Sequence, residues 1–143
     1  MLAQLFIGAA LIVGTVTIHA FGLGLILKIF VSIRAEVEAR WRNISFALVV
    51  LAVFLAHVVE IWVWALFFYI FASASEIPTL EAALYFSTTS FTTVGYGDLV
   101  LSEDWRLLGS FESINGMILF GWSTAFIFEL IRHVYSRDPE LRS

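Results

Sequence analysis

Apolar residues in this chain come in blocks rather than alternating with polar ones. Three stretches, roughly Leu5–Leu27, Ile44–Phe71 and Leu107–Ile131, are long, predominantly apolar and carry few charges. Each reaches the length of about 20 residues that a helix needs to cross a bilayer core. A fourth block, Leu80–Phe91, is only moderately apolar and too short to cross. It begins after Pro78-Thr79, a helix-start signal, and ends at a glycine-containing segment, the pattern of a half-helix that enters the membrane and turns back. The fold class expected is therefore all-α: three transmembrane helices, a re-entrant half-helix and a loop that follows it.

Composition agrees with the pattern. The chain has 143 residues, 60% of them hydrophobic, and a mean hydropathy of +0.91, too apolar for a soluble domain of this size. The apolar run after Met1–Gln4 continues to about Leu27 and no Lys or Arg precedes it, so a retained helix is expected in place of a cleaved secretory signal. There is no cysteine, which excludes disulfides and thiolate metal sites. No basic block with interleaved aromatics is present, so nucleic acid is not an expected partner. The dozen or so residues after the third span are too few for a soluble domain, and no tandem repeat is visible.

The net charge of −4 conceals an asymmetry. Lys28, Arg34, Arg40 and Arg42 lie between the first two spans, and Arg132, Arg137 and Arg142 follow the third, which places both regions in the cytoplasm by the positive-inside rule. The connection between spans two and three holds Glu76, Glu81, Asp98, Glu103 and Asp104 against Arg106 alone, which places it outside together with the amino terminus. Trp62, Trp64, Phe67, Phe68, Tyr69 and Phe71 crowd the outer end of span two, most of them expected to face lipid, and Trp41 marks its inner entrance. In span one, Ala10/Gly14 and Ala20/Gly24 are small residues at four-residue spacing that would admit a close neighbouring helix.

The loop after the half-helix reads Thr92-Thr93-Val94-Gly95-Tyr96-Gly97-Asp98. It resembles the signature of potassium channels, and the order of span, half-helix, loop and span over roughly Ile44–Tyr135 resembles that family's pore module. The physical logic of such a segment is a ring of oxygens that replaces an ion's water at similar energy, supplied by backbone carbonyls of several chains. Aligning successive carbonyls requires left-handed dihedrals at intervals, which Gly95 and Gly97 allow. The resemblance implies potassium ions bound by the Thr93 hydroxyl and the carbonyls of Thr93, Val94, Gly95 and Tyr96, with Gly97 at the outer end, Val94 and Tyr96 side chains turned away as packing struts, and Asp98 at the mouth. It implies identical subunits, four around one axis, passive conduction and no enzyme activity or small-molecule substrate other than potassium. The chain then divides into an N-terminal helix and connector (1–43), a pore module (44–135) and a short tail (136–143).

Three departures from the family pattern are visible. Tyr85-Phe86 stands where relatives often have paired tryptophans, so Tyr85 is the residue expected to hydrogen-bond Asp98. Thr89 stands where several relatives carry a glutamate or an aliphatic residue behind the filter, and no proline occurs in Leu99-Val100-Leu101. In span three, Glu112 and Asn115 are polar at membrane depth, and such groups should be paired or face a polar space. Glu112 either braces the filter from behind, near Thr89, or lies at a watery interface. Gly116 and Gly121 serve either a bend, which in relatives falls near Met117, or close packing. In span two His57 and Glu60, three residues apart, share a face and are expected to bond to each other, reaching His19 of span one in preference to forming a metal site. A membrane enzyme built on this pair lacks a nucleophile or ligand triad, and spans one and two lack the every-third-residue arginines of a voltage sensor.

Overall fold

The computed structural model describes residues 2–34 and 42–135. Arg40, Trp41, Arg137, Arg142 and the tail 136–143 lie outside the described residues. Four helices follow in order: α1 (Leu2–Arg34), α2 (Arg42–Phe71), α3 (Leu80–Phe91) and α4 (Arg106–Tyr135). No strand occurs among the described residues. Helices α1, α2 and α4, of 33, 30 and 30 residues, are each apolar and long enough to cross a membrane. At 1.5 Å per residue they reach about 45–50 Å, beyond a hydrocarbon core of about 30 Å. The ends of α1 and α4 lie a few residues outside the apolar blocks, because a helix continues through the headgroup region after its hydrophobic stretch has ended.

Pairs of touching residues give the topology. His19 meets Glu60, and Gly22 approaches Ala56, so α1 and α2 are antiparallel. Gly8 meets Phe111, Thr15 meets Asn115 and His19 meets Ser123, so α1 and α4 run parallel. The inward face of α1 is Gly8, Thr15, His19, Leu23 and Phe30, a stripe at four- and seven-residue intervals. Of its small residues, Gly8 and Gly22 make the close approaches. Ala10, Gly14, Ala20 and Gly24 lie on the exposed face, and a Cβ at Gly14 or Gly24 would meet nothing within 4 Å, so these spacings do not pack the helix within the chain.

Two apolar cores sit at opposite ends of the bundle. One gathers Ile61, Trp64, Phe68, Phe86, Phe91, Leu108 and Leu119 around α3; the other gathers Leu23, Phe30, Val49, Val53 and Leu130. Trp64 and Phe68 are therefore core residues, stacked at 6.2 Å, while Trp62, Tyr69 and Phe71 are the exposed members of the aromatic end of α2. Between the two cores the buried residues are polar: Thr15, His19, His57, Glu60, Asn115 and Ser123.

Candidate functional site

Helix α3 is built to end where the loop begins. Thr79 caps its start, accepting the Ala82 N–H at 3.0 Å, and Thr92 closes its end, its N–H donating to Thr88 O at 3.1 Å. The carboxyl end of the helix, with its partial negative charge, points toward the loop. The helix then dictates the first loop residues through its last carbonyls: Thr93 N–H donates to Ser90 O at 2.9 Å and Gly95 N–H to Thr89 O at 3.1 Å. Thr93, Gly95 and Gly97 have φ of 61°, 51° and 80°, while Val94 and Tyr96 between them do not enter the left-handed region. The glycines were the expected left-handed positions. Thr93 is a third that a search for glycine misses, since a β-branched residue adopts this conformation only when its surroundings hold it there.

Thr93 through Asp98 are all exposed on the subunit, including the Val94 and Tyr96 side chains. Tyr85 OH donates to Asp98 Oδ2 at 2.8 Å, the contact asked of it by its place opposite the aspartate. Thr92 and Thr89 turn their hydroxyls back onto Thr88 O and Phe86 O, so the support Thr89 gives the loop comes from its carbonyl. From behind, α4 holds the end of α3. Ser113 Oγ donates to Ser90 O at 2.8 Å, and a Cβ on Gly116 would come within 2.0 Å of Phe91 O. Gly116 is thus a close-packing residue; Gly121 meets nothing within 4 Å. Ser113 and Ser90 carried no signal in the sequence, where serines in membrane helices are common. A cavity of about 300 Å³ opens between the loop and the amino-terminal part of α4, bounded by Thr93, Gly95, Leu101, Gly109 and Ser113.

Glu112 is fully buried, away from lipid and water. The expected neighbourhood of Thr89 needs correction, because the side chain within electrostatic reach is Ser87 on the other flank of α3. Neither carboxyl oxygen nor Ser87 Oγ completes a hydrogen bond of good geometry. Asn115, one turn further along α4, donates to Thr15 Oγ1 at 2.7 Å.

The acidic connection between α2 and α4 divides in two. Glu76 is structural: Ser102 N–H donates to its Oε1 at 2.6 Å and Ser73 Oγ to its Oε2 at 3.0 Å. Hydrogen bonds from Ser102, then from Ser73, hold its carboxyl below the ordinary glutamate value. Glu81, Glu103 and Asp104 remain exposed, with Arg106 3.4 Å from Glu103. Gln4 Nε2 donates to the main-chain carbonyls of Glu103 and Asp104 at 3.1 and 2.6 Å, tying the start of α1 to this face.

His57 and Glu60 bond to each other, and the network extends to His19 as expected. His19 Nδ1 lies 2.7 Å from Glu60 Oε1, and His57 Nδ1 lies 2.9 Å from Oε2. Ser123 closes the circuit, its Oγ 2.9 Å from His57 Nε2 and 3.2 Å from His19 Nε2.

A family model described as ion channel matches residues 54–133, more than half of the chain, and the chain belongs to that family. The match takes in most of α2, all of α3, the loop and nearly all of α4, and leaves α1 outside. Searches of curated proteins and of solved structures return no match. An ion channel embedded in a membrane is a transport protein, and its chemistry is the transfer of an ion out of water and back.

Proposed function

We propose that the channel is potassium-selective and that four copies of the chain close one conduction pathway lined by Thr93, Val94, Gly95, Tyr96 and Gly97. The observation that carries this is the run of left-handed residues at 93, 95 and 97 immediately after the half-helix. In an extended strand successive carbonyls point to opposite sides. Left-handed residues at every second position turn alternate peptides over, which brings successive carbonyls to one side as ion ligands. A single subunit supplies only a fraction of the oxygens needed to replace a hydration shell.

The surface of the subunit supports assembly. Tyr96 is 73% exposed and Val94 52%, too open for side chains that are to fix a filter, and the cavity of about 300 Å³ beside α4 has room for an aromatic ring from a neighbouring subunit. Asp98, held by Tyr85, then sits at the outer mouth, and potassium is the transported substrate. The pore module is residues 44–135, with 1–43 an accessory helix and connector and 136–143 a tail. Because Gln4 ties the start of α1 to the loop at 103–104, the amino terminus shares the acidic outer face with the filter, and the carboxyl end lies in the cytoplasm.

The test is reconstitution of the purified chain alone into liposomes under opposed potassium and sodium gradients. A reversal potential near the potassium value is expected, and equal permeability for the two ions would sink the proposal.

A further inference from the structure

Away from the filter, the described residues bring a second set of donor atoms together. His19, His57 and Glu60 each place one ligand atom within 4.8 Å of the others. They join α1 to α2, and Ser123 of α4 completes a closed circuit of four contacts. His19 and Glu60 are wholly buried, and His57 and Ser123 nearly so.

The circuit does not balance with the protons these groups bring. A carboxylate contributes none, two neutral imidazoles contribute one each, and the serine hydroxyl one. Three protons must serve four contacts. With both Nδ1 protons given to Glu60, the single Ser123 hydroxyl proton satisfies one Nε2, and the other faces Oγ lone pair to lone pair. An unmade bond in a buried site is costly.

A metal ion removes the mismatch. Placed between the two Nδ1 atoms and Glu60, it takes three ligands and leaves each imidazole its proton on Nε2. Both Nε2–H groups then donate to Ser123 Oγ, which has two lone pairs to receive them. This is the outer-shell arrangement that fixes ring orientation in metal sites.

We propose that His19, His57 and Glu60 bind one transition-metal dication of the zinc class, with Ser123 orienting both rings. Two imidazole nitrogens and one carboxylate oxygen select zinc, nickel or copper over potassium, magnesium and calcium, which take oxygen donors. Bond lengths of about 2.0–2.1 Å around a tetrahedral ion separate neighbouring ligand atoms by about 3.3 Å, longer than the present 2.7 and 2.9 Å contacts and within the 4.8 Å that bounds the three ligand atoms, so the Glu60 carboxylate must turn to admit the ion. Glu60 offsets part of the ion's charge. Trp122, Phe120 and Phe91 pack on the imidazoles at centroid distances of 5.3, 4.7 and 6.1 Å, a dry shell that slows exchange. The site lies off the filter, and its effect is to staple α1 to the pore helices.

The experiment uses the full chain in detergent, stripped with a chelator and dialysed against zinc chloride. One zinc per subunit is expected, with an X-ray absorption spectrum showing two imidazoles and an oxygen at about 2.0–2.1 Å, and a rise in the thermal midpoint on zinc addition. Glu60→Gln and His19→Ala should abolish uptake, and Ser123→Ala should weaken it about 10–100-fold. Should a variant fail to fold, the spectrum of the unaltered chain decides by itself. No zinc uptake by that chain, meaning that a proton supplies the fourth contact, overturns the proposal. So does an all-oxygen coordination spectrum, or uptake by His19→Ala equal to that of the unaltered chain.

Discussion

The filter loop and the histidine–glutamate circuit are both polar structures at membrane depth, yet they are satisfied in opposite ways. The circuit is made of side chains, closes within one subunit and is shielded from its surroundings. The loop is made of main chain, is exposed over Thr93–Asp98 and has its side chains unpacked. Lipid supplies no hydrogen bonds, so a polar group at that depth must find partners in its own chain, in a neighbouring chain or in a wet pathway. The circuit takes the first solution for three of its four contacts and leaves the fourth to a bound ion. The loop is tied to α3 at Thr93, Gly95 and Asp98 and leaves the rest of its polar groups to the other two solutions.

The largest expected effect breaks the comparison on the filter side. Within the subunit a Cβ at Gly95 would meet nothing within 4 Å beyond its chain neighbours, so the cost of Gly95→Ala there is the left-handed dihedral, about 1–2 kcal/mol in each subunit. Carried by every subunit of an oligomer, that is enough to remove selective potassium flux while assembly, read by size-exclusion chromatography, persists. Retained selectivity would mean that the left-handed run is not what aligns the ligands.

Next in size are two glycines of α4. Gly116→Ala puts a carbon 2.0 Å from Phe91 O and must displace the end of α3, so a loss of several degrees in thermal midpoint and a disturbed filter are expected. Gly121→Ala has free space within the subunit and good helix propensity, and should cost little in stability. Reversed outcomes would overturn the close packing of Gly116 on Phe91 and make Gly121 the constrained glycine of α4.

Glu112 lies between the two regions in kind, a buried side chain beside the helix that carries the filter. If Glu112 and Ser87 serve each other, Glu112→Gln retains hydrogen-bonding capacity and should conduct nearly as the unaltered chain does. Glu112→Ala leaves Ser87 no side chain to turn to and opens a cavity beside α3, and should speed current decay. Ser87→Ala should act in the same direction, and the double substitution should fall short of the sum. Additive effects would separate the two residues.

How much of this was legible in sequence follows the same division. The spans were readable because 20-residue apolar runs have few other uses, and α3 because Pro78-Thr79 and the glycine segment bound it. The left-handed turns at Gly95 and Gly97 were readable from the glycines of the motif, which are local. What depends on how helices meet was not. His57 and Glu60 share a face by spacing alone, whereas the place of Ser123 in their circuit requires knowing that α1 and α4 run parallel. The core positions of Trp64 and Phe68 were hidden because a helix apolar all round gives no sign of which face is covered. The exposed Gly14 and Gly24 show the converse, a small-residue spacing with nothing packed on it inside the chain.

The smallest expected effect concerns the outer acids, where the comparison turns on solvent. Glu76 keeps its charge but is held by Ser102 and Ser73, so replacing it would also disturb the loop, which leaves Glu103 and Asp104 as the exposed charges to test. Glu103→Gln and Asp104→Asn do not disturb the anchor of α1, because Gln4 bonds the main-chain carbonyls of these residues. Their effect is therefore electrostatic, and it must follow screening. With a Debye length of about 30 Å at 0.01 M salt and about 10 Å at 0.1 M, inward current should fall measurably, by roughly twofold or less, at the lower ionic strength only. Asp104 should contribute more than Glu103, whose carboxylate is already offset by Arg106 at 3.4 Å. An equal loss at high salt would assign these carboxylates to the structure of the loop, as Glu76 is, instead of to the field at the mouth.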